Sequence, residues 1–315
     1  MSLASGGGPT AVVAALGAEL AGVLAAATEL RPLHLGGRPG GRATVRRGWR
    51  GWRGWNGWRG WSGWSGRLAG EPVVLAATGD GAAAAADGLA ALFAAARPRR
   101  LLVLGVSGGL TPGLAAGTLV AARQVVGEDG KAAAVQAPDA EWLARAVAGG
   151  ALAGTVVSVR RILGDPAAKQ AALWLAGEPA APAAVDLESA TFAALATAHG
   201  VPYLVLRAVL DPAEETLPLD FEACRGAGGG VSNARVVLRA LVRPRRFAGL
   251  WRLRGRVRDA ASRLGALAER LVAAPCGVAG AAACAATAAG PRKGEGVRTD
   301  LSSRHEIAMA GRRRA

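Results

Sequence analysis

Three carboxylates occupy positions at which an acidic side chain needs an explanation. Glu188, in "VDLESA", lies where an apolar run passes into a helical window, and Asp211, in "RAVLDPAEE", ends another apolar run just before Pro212. Glu19 lies in the middle of the apolar segment 11–27. Acids are common at helix N-termini, where they cap the helix and oppose its dipole, so one interpretation is structural. The other is acid–base or ligand-binding chemistry, which requires the fold to bring these side chains to a common site.

Short apolar runs alternate with alanine-rich helical windows along most of the chain. The pattern predicts a strand and a helix within residues 11–28, strands at 72–78, 100–106, 154–163, 183–187 and 203–210, and helices at 82–96, 166–176, 189–199 and 247–272. Continuous apolar strands that alternate with helices are typical of an α/β sheet covered on both faces. Ligands of such sheets bind at the carboxyl ends of the strands, where the "SGG" of 107–109, Glu188 and Asp211 fall.

The composition allows a sizeable core and gives the chain a strong positive charge. Of its 315 residues, 51% are hydrophobic, and the formal net charge of +15 is carried almost entirely by arginine. Such a charge suits a polyanionic partner, either nucleic acid or an anionic membrane surface, although a bias in genome base composition would also produce it. The three cysteines show no paired spacing, which argues against a disulfide framework and against a zinc site.

Two apolar segments invite a membrane interpretation, and neither fits it. Segment 11–27 has no positively charged residue before it, and the carboxylate of Glu19 would cost a few kcal/mol in a bilayer. The Ala/Gly run 277–290 is too weakly hydrophobic to span. We therefore expect a soluble, cytoplasmic protein.

Residues 36–66 and 274–315 break the alternation of strands and helices. The first segment is rich in Gly, Arg and Trp and ends in the repeat "GWRGWRGWNGWRGWSGWSG" (48–66), whereas the second is rich in Ala, Gly and Arg without a clear period. We interpret 36–66 as a low-complexity insertion and 274–315 as a disordered tail. The repeat has three possible explanations: an expansion tolerated in a surface loop, a segment at a lipid–water interface, or a surface that stacks on single-stranded nucleic acid.

The segment 247–273 has the pattern of a basic amphipathic helix. Its apolar stripe consists of Leu250, Leu253, Val257, Ala260, Leu264, Leu267 and Leu271. Most arginines fall away from the stripe, among them Arg252, Arg256, Arg263 and Arg270. Such a helix packs either on its own domain or a partner subunit, or on a membrane surface, and the pattern alone leaves both open.

Five segments in a fixed order carry a resemblance to a known family. They read "AALGAEL", "ATGDGAAAAADGLAALF", "LGVSGGLTPGLAAGTLV", "VDLES" and "PYLVLRAVLDPAEE". Together they resemble the purine nucleoside phosphorylase and methylthioadenosine/adenosylhomocysteine nucleosidase superfamily over roughly residues 10–30 and 70–222. The later segment "VVLRALVRPRRFAGLWRLRGRVRDAASRLGALAERL" is similar to the tail of the hopanoid-associated branch, which removes adenine from adenosylhopane.

The resemblance implies a fold and a domain organisation. The expected fold is the three-layer α/β/α nucleoside phosphorylase type with a central mixed sheet, formed by residues 10–273. In the superfamily, the interval that 36–66 occupies is a hairpin or a pair of short strands at the sheet edge, so 36–66 is expected to expand this interval. Homo-oligomers are also expected, because subunits of this superfamily often complete one another's sites.

The resemblance also implies roles for the three carboxylates. Asp211 matches the acid that protonates or hydrogen-bonds N7 of the leaving purine, Glu188 the residue that holds the ribose hydroxyls, and Glu19 the residue that activates water. The flanking residues of the same motifs are expected to contact the substrate: Ser107, Gly108, Gly109, Leu187, Ser189 and Leu210. No metal and no organic cofactor is implied.

The sequence departs from the superfamily pattern at three places. Leu210 stands where the nucleosidases usually carry a serine beside the acid, and the strand "LLVLGVSGG" lacks the arginine with which phosphorylases hold phosphate. The stretch 161–163, at the place of the purine-stacking residue, offers no aromatic ring. Because a dianion without an arginine partner binds poorly, water is the expected nucleophile.

Three activities follow from these observations as alternatives. The favoured one is adenine release from an adenosyl compound, with adenosylhopane as the candidate substrate and the basic helix holding the enzyme near the membrane. The alternatives are a phosphorolytic enzyme, or a soluble nucleosidase acting on methylthioadenosine or adenosylhomocysteine. A nucleic-acid- or membrane-binding protein built on a degenerate enzyme fold is a further alternative of another class.

Overall fold

A mixed β-sheet forms the centre of the molecule. A computed structural model describes residues 7–35, 62–133, 137–177, 181–225 and 247–273, all within one compact unit, Met1–Ala274. The strands in these residues are β1 (Thr10–Ala14), β2 (Thr28–Leu33), β3 (Ser62–Leu68), β4 (Glu71–Ala77), β5 (Arg100–Gly109), β6 (Leu119–Val126), β7 (Leu152–Ser158), β8 (Ala183–Asp186) and β9 (Tyr203–Asp211). They are arranged in the order β2-β3-β4-β1-β5-β8-β7-β6-β9.

Strand β9 closes part of this sheet on itself. It pairs antiparallel with β6 and parallel with β5, so β5, β8, β7, β6 and β9 form a closed ring. Strands β1, β4 and β5 run parallel to one another, as do β6, β7 and β8. The ends of β1, β5 and β9 therefore lie at one edge of the sheet, where the residues that follow them can meet.

Helices cover both faces of the sheet. They are α1 (Ala21–Ala26), α2 (Ala82–Ala96), α3 (Ala140–Ala148), α4 (Pro166–Leu173), α5 (Ser189–Ala198) and α6 (Phe247–Val272). Side chains of β1 alternate between two cores, because Val12 and Ala14 pack with α1 and α6, whereas Ala11 and Val13 pack with α2 and α5. This period of two, with apolar residues on both faces, is what a doubly covered sheet requires.

The structure differs from the predicted elements in several places. The strand predicted at 154–163 is β7, Leu152–Ser158, and the pattern predicts neither β6 nor α3. Helix α1 begins only at Ala21, so Glu19 lies in the turn after β1 and not inside a helix. The predicted insertion 36–66 extends too far, because residues 62–66 form the start of β3, which pairs with β4 along its whole length. Trp64, from the end of the tryptophan repeat, is buried there at 5% exposure. Pairing with β4 outweighs the poor strand propensity of the glycines around it.

Residues 36–61 separate two paired edge strands along the chain. Strands β2 and β3 are antiparallel neighbours at the edge of the sheet, and 36–61 lie between them in the chain. Residues 36–61, with most of the repeat 48–66, and the predicted tail 274–315 lie outside the described residues.

The predicted basic helix packs on its own domain through its second half. Ala260, Leu264, Leu267 and Leu271 are each at most 1% exposed in the core beside α1. The first half is different, because Trp251 is 72% exposed. Among the described residues, no helix combines the length and the apolar character needed to cross a membrane.

Helices α1 and α6 approach each other at a pair of glycines. A Cβ placed on Gly265 would lie 2.5 Å from the carbonyl carbon of Gly22, closer than real contacts allow. Gly265→Ala should therefore lower the free energy of unfolding by about 1–3 kcal/mol, since the methyl group must push the two backbones apart. Denaturant unfolding measures this.

Gly255, on the same helix, provides the matched control. A Cβ on Gly255 meets nothing within 4 Å, so Gly255→Ala should be neutral or slightly stabilising. Equal stability of Gly265→Ala and the unmodified protein would contradict the close packing of α1 against α6.

Candidate functional site

One cavity at the carboxyl edge of the sheet collects all three carboxylates singled out in the sequence. Glu19, Glu188 and Asp211 come from three distant parts of the chain, and each lines this cavity of about 390 Å³. Its volume lies within the range of small-molecule sites, about 300–1,000 Å³. The three residues are between 4% and 7% exposed, so they are nearly buried.

Glu19 is fixed in place by two backbone groups. Its Oε2 accepts a hydrogen bond of 2.8 Å from the Leu16 N–H, and its Oε1 accepts one of 2.9 Å from the Val106 N–H. Burial raises the pKa of Glu19, while the nearby Arg207 and the two backbone bonds oppose that rise. A carboxylate with a raised pKa and both oxygens held is suited to accept a proton near neutral pH.

Near Glu19 lies the buried Arg207 of β9, which is paired with the last residue of β8. Arg207 is 1% exposed, and its Nη2 lies 2.5 Å from Oδ2 of Asp186. The guanidinium also donates to Oγ of Ser189 at 2.8 and 3.1 Å and to the carbonyl of Leu104 at 3.2 Å. A Cβ on Gly105 would overlap Nη1 of Arg207, so only glycine lets this guanidinium pass beside β5.

Glu188 does not cap the helix that follows it. It occupies the N-cap position of α5, yet its side chain makes no capping bond there. Its Oε1 instead accepts a 2.7 Å hydrogen bond from the Gly81 N–H, across the cavity edge. Burial raises the pKa of Glu188 well above its ordinary value, and the neighbouring Asp186 adds to the rise. Glu188 therefore does not cap its own helix α5, and its bonded partner Gly81 is the N-cap residue of α2.

Asp211 ends β9 and pairs with a lysine that the sequence analysis did not single out. Oδ2 of Asp211 lies 2.6 Å from Nζ of Lys169, whose side chain is fully buried. Burial raises the pKa of Asp211 to about 6, against the opposing effect of Lys169. No helix begins at Asp211 in the described part of the chain, so this carboxylate is not a cap either.

The predicted substrate contacts divide into two groups. Ser107, Gly108, Leu187 and Leu210 line the cavity. Gly109 and Ser189 are not among the lining residues: Gly109 packs near Val209 and Ala213, and Ser189 is bound to Asp186 and Arg207. The hydroxyl of Ser107 is buried and has no hydrogen-bond partner among the described residues.

An aromatic ring also lines the cavity. Arg161, Ile162 and Leu163 form part of the wall, as the sequence analysis expected, and Phe221 joins them from the loop after β9. The sequence analysis did not identify Phe221, because it belongs to no periodic segment. The remaining apolar wall comes mainly from Leu16, Val159, Val185, Leu187, Leu210, Leu217, Leu253 and Val257.

The charged groups of the wall are predominantly acidic. Five acidic residues line the cavity: Glu19, Asp80, Asp186, Glu188 and Asp211. Arg161 is the basic residue of this lining, and its side chain is exposed. Within the described ranges, no group of His, Cys, Asp and Glu side chains is placed to hold a metal ion.

A comparison with protein-family models identifies the family of the chain. The family model described as "Phosphorylase superfamily" matches residues 11–243. A search of curated proteins finds no significant match.

Several solved structures of nucleosidases share the fold. The 5′-methylthioadenosine/S-adenosylhomocysteine nucleosidase of Neisseria meningitidis is similar with a TM-score of 0.60 and 19% identity, over 84% of this chain and 98% of that one. The S-adenosylhomocysteine nucleosidase of Streptococcus pyogenes gives 0.59 and 16%, over 86% and 98%. The enzyme of Colwellia psychrerythraea, solved with adenine, gives 0.58 and 17%, over 84% and 94%. These similarities confirm the predicted nucleoside phosphorylase-type fold.

Proposed function

Because the chain belongs to the phosphorylase superfamily, we propose that it cleaves the N-ribosyl bond of an adenosyl compound and releases adenine. The observation that carries the proposal is the convergence of Glu19, Glu188 and Asp211 on one cavity. The similar solved structures are nucleosidases named for methylthioadenosine and adenosylhomocysteine, which supports the choice of an adenosyl substrate.

The three carboxylates have complementary roles in this reaction. Adenine is a poor leaving group unless it is protonated, and Asp211, whose pKa is raised to about 6, donates a proton to N7. The ribose develops positive charge at C1′, and Glu188 binds the ribose hydroxyls and stabilises that charge. Glu19 accepts a proton from the attacking water, so that a C–O bond forms at C1′ as the C1′–N9 bond breaks.

Charge favours water over phosphate as the nucleophile. The cavity wall has five acidic residues, and the buried cations nearest to them are already paired, Arg207 with Asp186 and Lys169 with Asp211. A phosphate dianion would meet these carboxylates, and the arginine among the described lining residues, Arg161, is exposed at the wall and not buried among them. Water carries no such penalty.

An apolar substituent on the ribose matches the rest of the wall. Leu217, Phe221, Leu253 and Val257 give the cavity an apolar surface that a nucleoside alone does not need. Leu253 and Val257 belong to the first half of α6, so we expect a large hydrocarbon attached at C5′ to extend along that segment. We infer that the substrate is an adenosyl lipid, and adenosylhopane is the candidate that the resemblance to the hopanoid-associated branch supplies.

The exposed surface of α6 is consistent with such a substrate. Trp251 is 72% exposed, and Arg252, Arg254 and Arg258 are exposed beside it. Trp and Arg are well accommodated at a lipid–water interface, so peripheral contact with an anionic membrane is part of the proposal. A cytoplasmic location and a homo-oligomeric state remain predictions from the sequence.

The proposal is tested by measuring adenine release chromatographically. Adenosylhopane in lipid vesicles and soluble methylthioadenosine are supplied separately and then in competition. Faster release from adenosylhopane supports the lipid substrate, whereas exclusive use of methylthioadenosine supports the soluble nucleosidase. Release from neither would overturn the proposed activity and favour a binding protein on this fold.

The hydroxyl of Ser107 provides a separate prediction about substrate binding. A buried hydroxyl without a partner costs roughly 1–3 kcal/mol of stability, so its presence at the cavity wall suggests that a ligand or water binds it. Ser107→Ala should leave the protein as stable or more stable and raise KM about fivefold, the effect of one hydrogen bond of about 1 kcal/mol. Thermal unfolding and steady-state kinetics measure the two effects. A less stable protein with unchanged KM would contradict a ligand-binding role.

A further inference from the structure

Lys169 is a buried cation that the proposed reaction does not use. It lies on α4, its side chain is 0% exposed, and its Nζ is 2.6 Å from Oδ2 of Asp211. The same nitrogen donates to the carbonyl of Pro212 at 2.8 Å and to that of Glu215 at 2.9 Å. The three acceptors match the three N–H bonds of an ammonium group, so the lysine is held in one position.

A buried ammonium is costly unless it is paired, so its placement against Asp211 calls for an explanation. The basic residues of this chain are almost all arginine, and Lys169 is one of three lysines. An arginine fork would spread its charge over a plane, whereas an ammonium is a compact charge that can contact a single carboxylate oxygen. A lysine at this position therefore brings a compact positive charge to Oδ2 of Asp211, which an arginine would spread over a plane.

Building on the proposed function, we propose that Lys169 is a positioning residue that fixes Oδ2 of Asp211 and stabilises the carboxylate formed when this acid protonates the purine. In that step the O–H bond at Oδ1 breaks and an N7–H bond forms, while the electron pair of the C1′–N9 bond goes to the purine. Lys169 keeps all of its protons. It makes Asp211 a stronger acid by stabilising the conjugate base.

Among the positive groups near Asp211, Lys169 has the largest effect on the pKa of this carboxyl. Three charged side chains act on Asp211: Lys169 on α4, Glu215 in the segment after β9 and Arg256 on α6. Arg256 is engaged elsewhere, because its Nη1 lies 2.7 Å from Oε2 of Glu215 and donates to the Leu210 carbonyl at 2.8 Å. Burial raises the pKa of Asp211 to about 6, and Lys169 is the first opposing cause. Removing the ammonium should therefore raise this pKa further.

The test compares Lys169→Met with the unmodified protein and with Gln170→Met. Gln170 is the exposed neighbour on α4, so it receives the same substitution without losing a contact to Asp211. The pKa of Asp211 is followed by carbon NMR of the side-chain carboxyl, assigned with Asp211→Asn. We expect Lys169→Met to raise the pKa of Asp211 by one or more pH units, Gln170→Met to leave it unchanged, and Lys169→Arg to restore it in part.

Kinetics then distinguish positioning from a purely structural role. In Lys169→Met, kcat should fall about tenfold. The alkaline limb of the kcat/KM profile should shift from near pH 6 to higher pH, by the same amount as the pKa measured by NMR. An unchanged pKa of Asp211 in a folded Lys169→Met protein would overturn the inference. The NMR measurement needs no turnover, so absence of adenine release from the unmodified protein would count against the proposed function and not against the Lys169–Asp211 coupling.

Discussion

Asp211→Asn is expected to lower kcat for adenine release by about 10²–10⁴, which is the usual contribution of a general acid. Asparagine keeps the size of the side chain but cannot donate a carboxyl proton to N7. Lys169 would then face an amide oxygen in place of a carboxylate, so the variant must be checked for folding by thermal unfolding. Asp87→Asn, at an exposed position of α2, is the matched control and should retain full activity.

The dependence of kcat/KM on pH tests the same assignment of Asp211 as the acid. Asp211 acts in its protonated form, so kcat/KM should fall as the pH rises above about 6. Glu19 acts in its ionised form, and its pKa is raised by burial, so activity should also fall at the acidic end. The alkaline limb should disappear in Asp211→Asn. A fully active Asp211→Asn variant would remove the acid from the scheme.

Glu19→Ala is expected to have a similarly large effect for a different reason. Glu19→Ala removes the carboxylate that binds the Leu16 and Val106 amides and that accepts the proton of the attacking water in this scheme, so kcat should again fall by about 10²–10⁴. The measurement is adenine release at the pH optimum of the unmodified protein. Glu29→Ala, at an exposed position of β2, serves as the control.

Rescue by azide distinguishes the role of Glu19 as the base from that of Asp211 as the acid. It attacks C1′ without giving up a proton, so it should restore adenine release in Glu19→Ala and yield a ribosyl azide. It should not restore Asp211→Asn, where protonation of the leaving purine is missing. Rescue of both variants, or of neither, would contradict the division of roles between Glu19 and Asp211.

Much of the fold follows from local sequence patterns, but the pattern does not predict every element: β6 and α3 are missed as well as two edge strands. The pattern predicts helix α2 with the observed bounds 82–96, and strand β9 to within one residue. It does not predict β2 or the start of β3, because Pro32, Gly63 and Gly66 are poor strand formers. These segments are strands because they pair at the edge beside β4, which is information that no local window contains.

The residues of the candidate site could also be predicted only in part from the sequence. The three carboxylates could be identified from their positions in an α/β pattern and from the family resemblance. Lys169 could not, because in an alanine-rich helical window it looks like a surface residue, and its partner Asp211 lies far along the chain. Arg207 did carry a signal: a charged residue inside a continuous apolar strand needs a buried counterion, which Asp186 provides.

Dependence of adenine release on phosphate tests the central claim most directly. The unmodified protein is assayed with its adenosyl substrate in phosphate-free buffer and then with increasing inorganic phosphate, and the ribosyl product is identified by mass spectrometry. The arrangement of Glu19, Glu188 and Asp211 predicts a rate independent of phosphate and a free reducing sugar as the product. A rate proportional to phosphate, with a ribosyl 1-phosphate product, would contradict water activation by Glu19.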